Sequence, residues 1–143
     1  MQTDKSKELL AKVVLINNKL NFSGTADSNP PVSIDYTPPL GDNLGYTSLE
    51  LFLLSLSSCV GSAVLSILRK MKKEIKGFEI ESKGIRKQEH PTGLKTVYLN
   101  ININSSDVKD EDMEKVIQLS ESICPVWSMV KGNVEVVNNV NIV

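Results

Sequence analysis

Two cysteines carry the most reactive side chains of this chain, and they stand in different surroundings. Cys59 lies inside the most apolar stretch of the sequence, LFLLSLSSCVGSAVLSIL, whereas Cys124 comes directly before a proline in SICPVWSM. A chain with two cysteines can hold a permanent disulfide, two free thiols, or a disulfide that forms and breaks. The third arrangement would make the protein a thiol redox enzyme.

Cys124 is predicted to cap a helix. A residue before proline disfavours the α region, so the preceding helix should end near Ile123 or Cys124. Pro125 suits the first turn of a new short helix, PVWSMVKG, which Gly132 should end. At such a helix start the dipole and the free N–H groups stabilise a thiolate, which would make Cys124 the more acidic thiol by position. The other interpretation is a buried cysteine that acts as a small hydrophobic side chain.

Cys59 is predicted to lie in the middle of a helix, where the helix dipole helps it little. Burial alone would raise its pKa and make it inert, so it needs a nearby cation or hydrogen-bond donor to become a nucleophile. Its neighbours are small, which favours equally a close contact with another backbone and a space for substrate beside the sulfur. These small residues are Ser57, Ser58, Gly61, Ser62 and Ala63.

Glu50 comes nine residues before Cys59, so on a straight helix the two side chains point to opposite sides, roughly 13 Å apart along the axis. The segment Thr47-Ser48-Leu49-Glu50 has the pattern of a capping box, which favours a capping role for Glu50 over that of a direct base. His90 stands beside a proline in a predicted turn and receives no catalytic role. Two cysteines and one histidine are too few for a structural zinc site.

Length and charge limit the class of protein. A chain of 143 residues predicts a single domain, 1–143, with one core, and a net charge of −1 gives no nucleic-acid footprint. The polar start, MQTDKSKELL, lacks the apolar core of a signal peptide, so we expect a cytoplasmic protein. Thiols are usually kept reduced there, which argues against a permanent disulfide.

Residues 51–68 carry no charge and are long enough to be a candidate membrane helix. Five serines and Gly61 interrupt the apolar run, and the segments around it alternate like strands of a soluble protein. A buried helix is therefore the favoured interpretation, and a membrane anchor is an alternative.

The hydrophobic periodicity predicts an α+β fold in the order three strands, long helix, two strands, helix, short helix, strand. The clearest strand is 95–104, in which Val97, Leu99, Ile101 and Ile103 should face the core. The predicted segments are strands 9–16, 19–25 and 32–36, a loop over 37–46, a helix from Thr47 to about Lys73, strands 77–88 and 95–104, a helix from Asp110, a short helix from Pro125, and a strand over 134–142.

Three motifs on this pattern resemble the OsmC/Ohr family of thiol-dependent hydroperoxide reductases. They are the Glu-led apolar helix SLELFLLSLSSCVGSAV, the hairpin GIRKQEHPTGLKTVYLNI, and the helix end LSESICPVWSMV, followed by a terminal strand. The resemblance extends from about Leu10 to the end of the chain.

The resemblance implies an intertwined homodimer with a central pair of long buried helices and two active sites at the subunit interface. It implies that Cys59 attacks a peroxide oxygen and becomes a sulfenic acid. Cys124 would then resolve this acid to a disulfide, which a dithiol reductant reopens, without metal or bound cofactor.

The chain departs from the peroxidase members in the groups around the first cysteine. Those members pair it with an N-terminal arginine and a glutamate near the helix start, but residues 1–68 contain no arginine. The peroxidase glutamate position falls on Leu49, one place before Glu50, which is more similar to the OsmC-like branch than to the Ohr branch. Lys19, Arg69 and Arg86 are the cations that could serve instead across the interface.

The leading hypothesis is a cytoplasmic, homodimeric OsmC-like thiol peroxidase for organic hydroperoxides, with Cys59, Cys124 and Glu50 as its site residues. The first alternative is a family member that binds a small molecule or relays sulfur without peroxidase activity. The second is a structural or membrane-associated domain that uses 51–68 as an anchor.

Overall fold

The computed structural model describes residues 4–143, so residues 1–3 of the polar start, on which part of the expected location rests, lie outside the described residues. The fold is α+β, as predicted. The chain divides into two compact units, Met1–Leu51 and Phe52–Val143, each of which is described by itself. A single domain over 1–143 stays a prediction.

The first unit contains a three-stranded antiparallel sheet. Its strands are β1 (Lys12–Leu15), β2 (Phe22–Thr25) and β3 (Val32–Ile34), in that order across the sheet. The turn between β1 and β2 forms because the Asn17 Oδ1 atom accepts the N–H groups of Lys19 at 3.0 Å and Asn21 at 3.1 Å. The three predicted strands are confirmed, although each is shorter than the periodicity indicated.

A buried carboxylate organises the loop that follows β3. Asp35 is 2% exposed, and its two oxygens accept the N–H groups of Tyr36, Asp42 and Leu44. Burial by itself would raise the pKa of Asp35, but the three backbone donors and the positive charge of Lys19 together hold the pKa below its usual value. The predicted loop over 37–46 is therefore held in one conformation by an ionised side chain.

The second unit has a mixed sheet with helices. Its elements are α1 (Ser48–Lys70), whose first turn belongs to the first unit, β4 (Gly77–Arg86), β5 (Leu94–Asn104), α2 (Asp110–Ile123), α3 (Pro125–Val130) and β6 (Glu135–Ile142). β4 and β5 form an antiparallel hairpin, and β5 pairs with β6 in parallel because α2 and α3 lie between them in the chain.

The core of the second unit is centred on β5. Its four predicted core side chains, Val97, Leu99, Ile101 and Ile103, are all fully buried, which confirms the alternation of faces along this strand. Burial of each such side chain stabilises the fold by roughly 1.5–3 kcal/mol relative to exposure. Helices complete the core with Leu56, Val60, Val64 and Leu68 of α1 and with Met113, Val116 and Ser120 of α2.

Helix α1 differs from the expectation of burial on all sides. In the single chain its buried residues lie on one side, while Leu54 is 51% exposed. The helix is long and apolar enough to cross a membrane, but core helices of soluble proteins satisfy the same criterion. It ends at Lys70, three residues earlier than predicted, and Lys72 beyond it has a left-handed backbone with φ of 60°.

Candidate active site

The fold brings the two cysteines together. Cys59 lies in the middle of α1, Cys124 lies between α2 and α3, and the Cys124 thiol donates a hydrogen bond to the Cys59 sulfur at 2.7 Å. Both are free thiols, and their separation exceeds the ~2.05 Å of a disulfide bond. Had the two sulfurs been far apart, no disulfide could form between them. In this structure they are in contact.

Cys124 is held by helix-capping contacts on both sides. Its N–H donates to the Ser120 carbonyl at 2.9 Å, which closes α2, and its carbonyl accepts the Ser128 N–H at 3.0 Å in α3. Its sulfur accepts the N–H of Trp127 at 3.4 Å, as an N-cap side chain does. The predicted helix end and the predicted N-cap are both confirmed, and together they fix the direction of the sulfur towards Cys59.

The predicted effect of this position on acidity is wrong. Burial of the Cys124 thiol, together with its hydrogen bond to Cys59, raises its pKa to about 11, although the N–H groups of Trp127 and Val126 act in the opposite direction. The physical reason is that the sulfur is almost completely removed from water, while the hydrogen bond from the Trp127 N–H is long, at 3.4 Å. Cys124 is therefore a neutral thiol at neutral pH.

Alkylation should reveal this difference between the cysteines. At pH 7 we expect iodoacetamide to modify half-buried Cys59 before Cys124, which is 1% exposed and protonated. The rate at Cys124 should rise about tenfold per pH unit towards its pKa, because only the thiolate reacts. Peptide mass mapping measures both rates, with urea-unfolded protein as the control in which the two sites should react alike. Faster modification of Cys124 at pH 7 would contradict the expectation.

Glu50 acts as a helix cap. The Thr47 N–H donates to the Glu50 carboxylate at 2.8 Å, and the Glu50 N–H donates to the Thr47 hydroxyl at 3.2 Å. This reciprocal pair confirms the predicted capping box. The carboxylate is thus hydrogen-bonded at the start of α1, and a catalytic role for it stays a prediction.

Two substitutions separate capping from catalysis at Glu50. Glu50→Ala should lower the free energy of unfolding by about 0.5–2 kcal/mol, because the cap is lost. Glu50→Gln should cost less, since its amide oxygen can still accept the Thr47 N–H. Urea unfolding measures the stabilities, and we expect peroxide turnover of Glu50→Gln to match that of the wild type. A large loss of turnover in the glutamine variant, at unchanged stability, would instead assign the carboxylate a catalytic role.

Each of the three candidate cations has a local setting. The Lys19 ammonium forms an ion pair with Asp42 at 2.7 Å, and Arg69 is exposed in the last turn of α1. Arg86 donates from Nε to the Thr92 carbonyl at 2.7 Å and from Nη2 to the Thr92 hydroxyl at 2.5 Å. A cation supplied to Cys59 across a subunit interface stays a prediction.

Within residues 4–143, no cluster of three or more His, Cys, Asp or Glu side chains could hold a metal ion.

The small residues around Cys59 form part of an open groove between α1 and β4. Gly61 lies so near the Phe78 ring that a methyl group in its place would come within 3.2 Å, which explains a small residue there by close packing. The Ser57 hydroxyl is buried and has no hydrogen-bond partner among residues 4–143. The groove has a volume of about 340 Å³ and is lined by Leu54, Ser57, Ser58, Gly61, Ser62, Leu65, Phe78, Glu79 and Ile80.

Sequence reasoning missed the bond between the Trp127 N–H and the Cys124 sulfur. Its signal was present in the sequence, because an N-cap side chain accepts from the third residue of its helix and Trp127 is the third residue of α3. The role of Asp35 left a weaker signal, since an aspartate before a loop rich in proline and glycine can bond to several backbone groups.

Comparison with known proteins gives concordant results. Residues 41–138 match the family model described as OsmC-like protein. The chain is 25% identical over 125 residues to Protein YhfA of Escherichia coli K12, which covers 87% of this chain and 91% of that protein.

Solved structures give the same fold. The OsmC-like protein from Mycoplasma pneumoniae superimposes with a TM-score of 0.83 at 19% identity, over 96% of this chain and 98% of the other. An organic hydroperoxide resistance protein from Elizabethkingia anophelis superimposes with a TM-score of 0.74 at 20% identity, over the whole of both chains. At these identities the likeness to solved structures establishes the fold alone.

Proposed function

This chain belongs to the OsmC-like protein family, and from that membership we propose that it is a thiol peroxidase that reduces organic hydroperoxides. The observation that carries the proposal is the 2.7 Å contact between the sulfurs of Cys59 and Cys124. A half-buried thiol beside a fully buried one provides an attacking sulfur that substrate can reach and a second sulfur ready to react with it.

The proposed reaction begins at Cys59. Its thiolate attacks an oxygen of the hydroperoxide and the O–O bond breaks, which leaves a sulfenic acid on Cys59 and an alkoxide that takes up a proton to become an alcohol. The Cys124 thiol supports this step as a hydrogen-bond donor to the Cys59 sulfur. Its high pKa keeps that proton in place at neutral pH.

The second step forms the disulfide. The Cys124 sulfur attacks the sulfenic sulfur, the S–O bond breaks, and the departing hydroxide takes up the Cys124 proton and leaves as water. A dithiol then reduces the disulfide by thiol–disulfide exchange and is itself oxidised to a disulfide. In this proposal Glu50 is a positioning residue, because its cap fixes the first turn of the helix that carries Cys59.

We also propose that the protein works as a homodimer. Consecutive strand residues point to opposite faces of a sheet, yet Val13, Val14 and Leu15 of β1 are 60%, 46% and 49% exposed. Both faces of this strand are thus uncovered and apolar. The groove between α1 and β4, with its unpartnered Ser57 hydroxyl, is a further surface that a second copy of the chain would cover.

Multi-angle light scattering should give a dimer mass. Leu54→Glu should shift this mass towards that of the monomer, while Lys115→Glu on α2 should leave it unchanged.

The proposed location is the cytoplasm, where reducing systems regenerate thiols. It predicts that the protein stays in the supernatant when cell membranes are sedimented. Recovery of the protein in the membrane pellet would instead favour the hypothesis that α1 is a membrane anchor.

The activity test uses cumene hydroperoxide as the substrate and dithiothreitol as the reductant. We expect catalytic turnover, and we expect one equivalent of peroxide without reductant to remove two hydrogens from the intact protein mass, with Cys59 and Cys124 joined in one disulfide-linked peptide pair. Unchanged thiols after peroxide treatment, together with no turnover, would overturn the proposal.

The absence of arginine from residues 1–68 favours a second candidate, a family member that relays sulfur between thiols. Such a protein would give no peroxide turnover, but its Cys59 would accept a sulfur atom from a persulfide donor and pass it to an acceptor thiol. Mass spectrometry of the protein after incubation with a persulfide donor separates this candidate from the first.

A further inference from the structure

An open cavity with a volume of about 750 Å³ lies at the hairpin between β4 and β5. This volume lies in the range of ordinary small-molecule sites, ~300–1,000 Å³. Its lining is rich in positive charge for a protein of net charge −1, because it contains Arg86, Lys87 and Lys95 but one carboxylate, that of Glu89. The lining residues are Ile85, Arg86, Lys87, Gln88, Glu89, His90, Pro91 and Lys95.

Two of the basic side chains lie on neighbouring strands beside a β-bulge. Ile85 pairs with Thr96 but Arg86 pairs with Leu94, so Lys95 is an extra residue on β5 with no partner across the ladder. Arg86 and Lys95 both line the cavity at the turn end of the hairpin.

The Arg86 guanidinium is held in a fixed orientation. Its Nε and Nη2 atoms donate to the carbonyl and the hydroxyl of Thr92, which leaves Nη1 and the second Nη2 hydrogen for another acceptor. In the described chain from residue 4 onwards, Arg86, Lys87 and Lys95 form no ion pair with a carboxylate. The positive charge of this cavity is thus uncompensated apart from Glu89.

We propose that the hairpin cavity binds a small organic or inorganic polyanion through Arg86, Lys87 and Lys95. The recognised chemistry is a carboxylate or phosphate group, since a fixed guanidinium bonds to both in a planar, two-pronged geometry. The inference does not rest on the proposed peroxidase activity, because it uses neither cysteine.

Titration of the reduced protein at low ionic strength tests the proposal, with amide chemical shifts as the readout. Citrate represents the carboxylate class, pyrophosphate represents the phosphate class, and chloride at equal ionic strength is the control for general screening. We expect saturable shifts at the amides of Lys87, Thr92 and Gly93 with one of the two polyanions. The absence of saturable shifts with either would overturn the proposal.

Four variants decide whether the effect belongs to this cavity. Arg86→Gln should weaken the affinity about tenfold through loss of a charge-assisted hydrogen bond, and Arg86→Lys should weaken it as well, because an ammonium lacks the planar fork of a guanidinium. Glu89→Gln should instead tighten binding, because it removes the only carboxylate of the lining. Lys115→Gln, which removes one positive charge on α2, should leave the affinity unchanged. Equal losses in Arg86→Gln and Lys115→Gln would show an effect of total charge and would overturn the proposal.

Discussion

Replacing Cys59 with serine is expected to reduce hydroperoxide turnover to the uncatalysed level, a fall of roughly three orders of magnitude or more. The hydroxyl of serine is a far weaker nucleophile than a thiolate. Coupled oxidation of the reductant measures the loss. Serine is close to cysteine in size, so the half-buried site within α1 should keep its fold. Residual turnover near that of the wild type would rule out Cys59 as the attacking sulfur.

The matching variant, Cys124→Ser, should give a different result. Serine is a favourable N-cap residue, so its hydroxyl oxygen should still accept the Trp127 N–H and cap α3. Peroxide should then oxidise Cys59 once, and the sulfenic acid should persist long enough to be trapped by dimedone. A disulfide-bonded intermediate cannot form. Failure of Cys59 to oxidise in this variant would mean that the Cys124 thiol is required already in the first step.

Trp127→Ala is expected to lower the free energy of unfolding by about 3–5 kcal/mol, the usual cost of removing a large aromatic side chain from a core. Trp127 is 6% exposed, and it lies on the short helix that Cys124 caps. Met129 lies on the same helix but is 76% exposed, so Met129→Ala should change stability by less than about 0.5 kcal/mol. Urea unfolding measures both, and equal effects of the two substitutions would contradict the assigned burial.

The elements of the fold were predictable where local physics decides the structure. The period-two pattern of 95–104 located the core strand, because one face of a half-buried strand must be apolar. Thr47 with Glu50, and Cys124 with Pro125, located two helix starts, because free N–H groups need acceptors and proline cannot continue a helix.

The approach of the two sulfurs could not be derived from spacing. Cys59 and Cys124 are 65 residues apart, and the packing of α1 beside the junction of α2 and α3 depends on contacts through the whole second unit. Only the family resemblance predicted their pairing. The prediction that Cys124 is the more acidic thiol failed for the same reason, since the degree of burial around a sulfur is a property of the packed core.

The basic cavity of the hairpin also lay beyond local reasoning. Arg86, Lys87 and Lys95 appear in the sequence as ordinary surface charges of two strands. The bulge at Lys95 interrupts the pairing of β4 with β5 beside these charges. A bulge leaves no distinct sequence signal when, as here, the extra residue is a common one.

The bond between the Trp127 N–H and the Cys124 sulfur has a practical consequence. Trp127 is the only tryptophan of the chain, so all indole emission comes from the residue whose backbone N–H bonds to the Cys124 sulfur. Disulfides quench excited indole more strongly than thiols at short range. The protein thus carries its own optical probe, and stopped-flow fluorescence can follow its oxidation and reduction in real time without a label or a coupled enzyme.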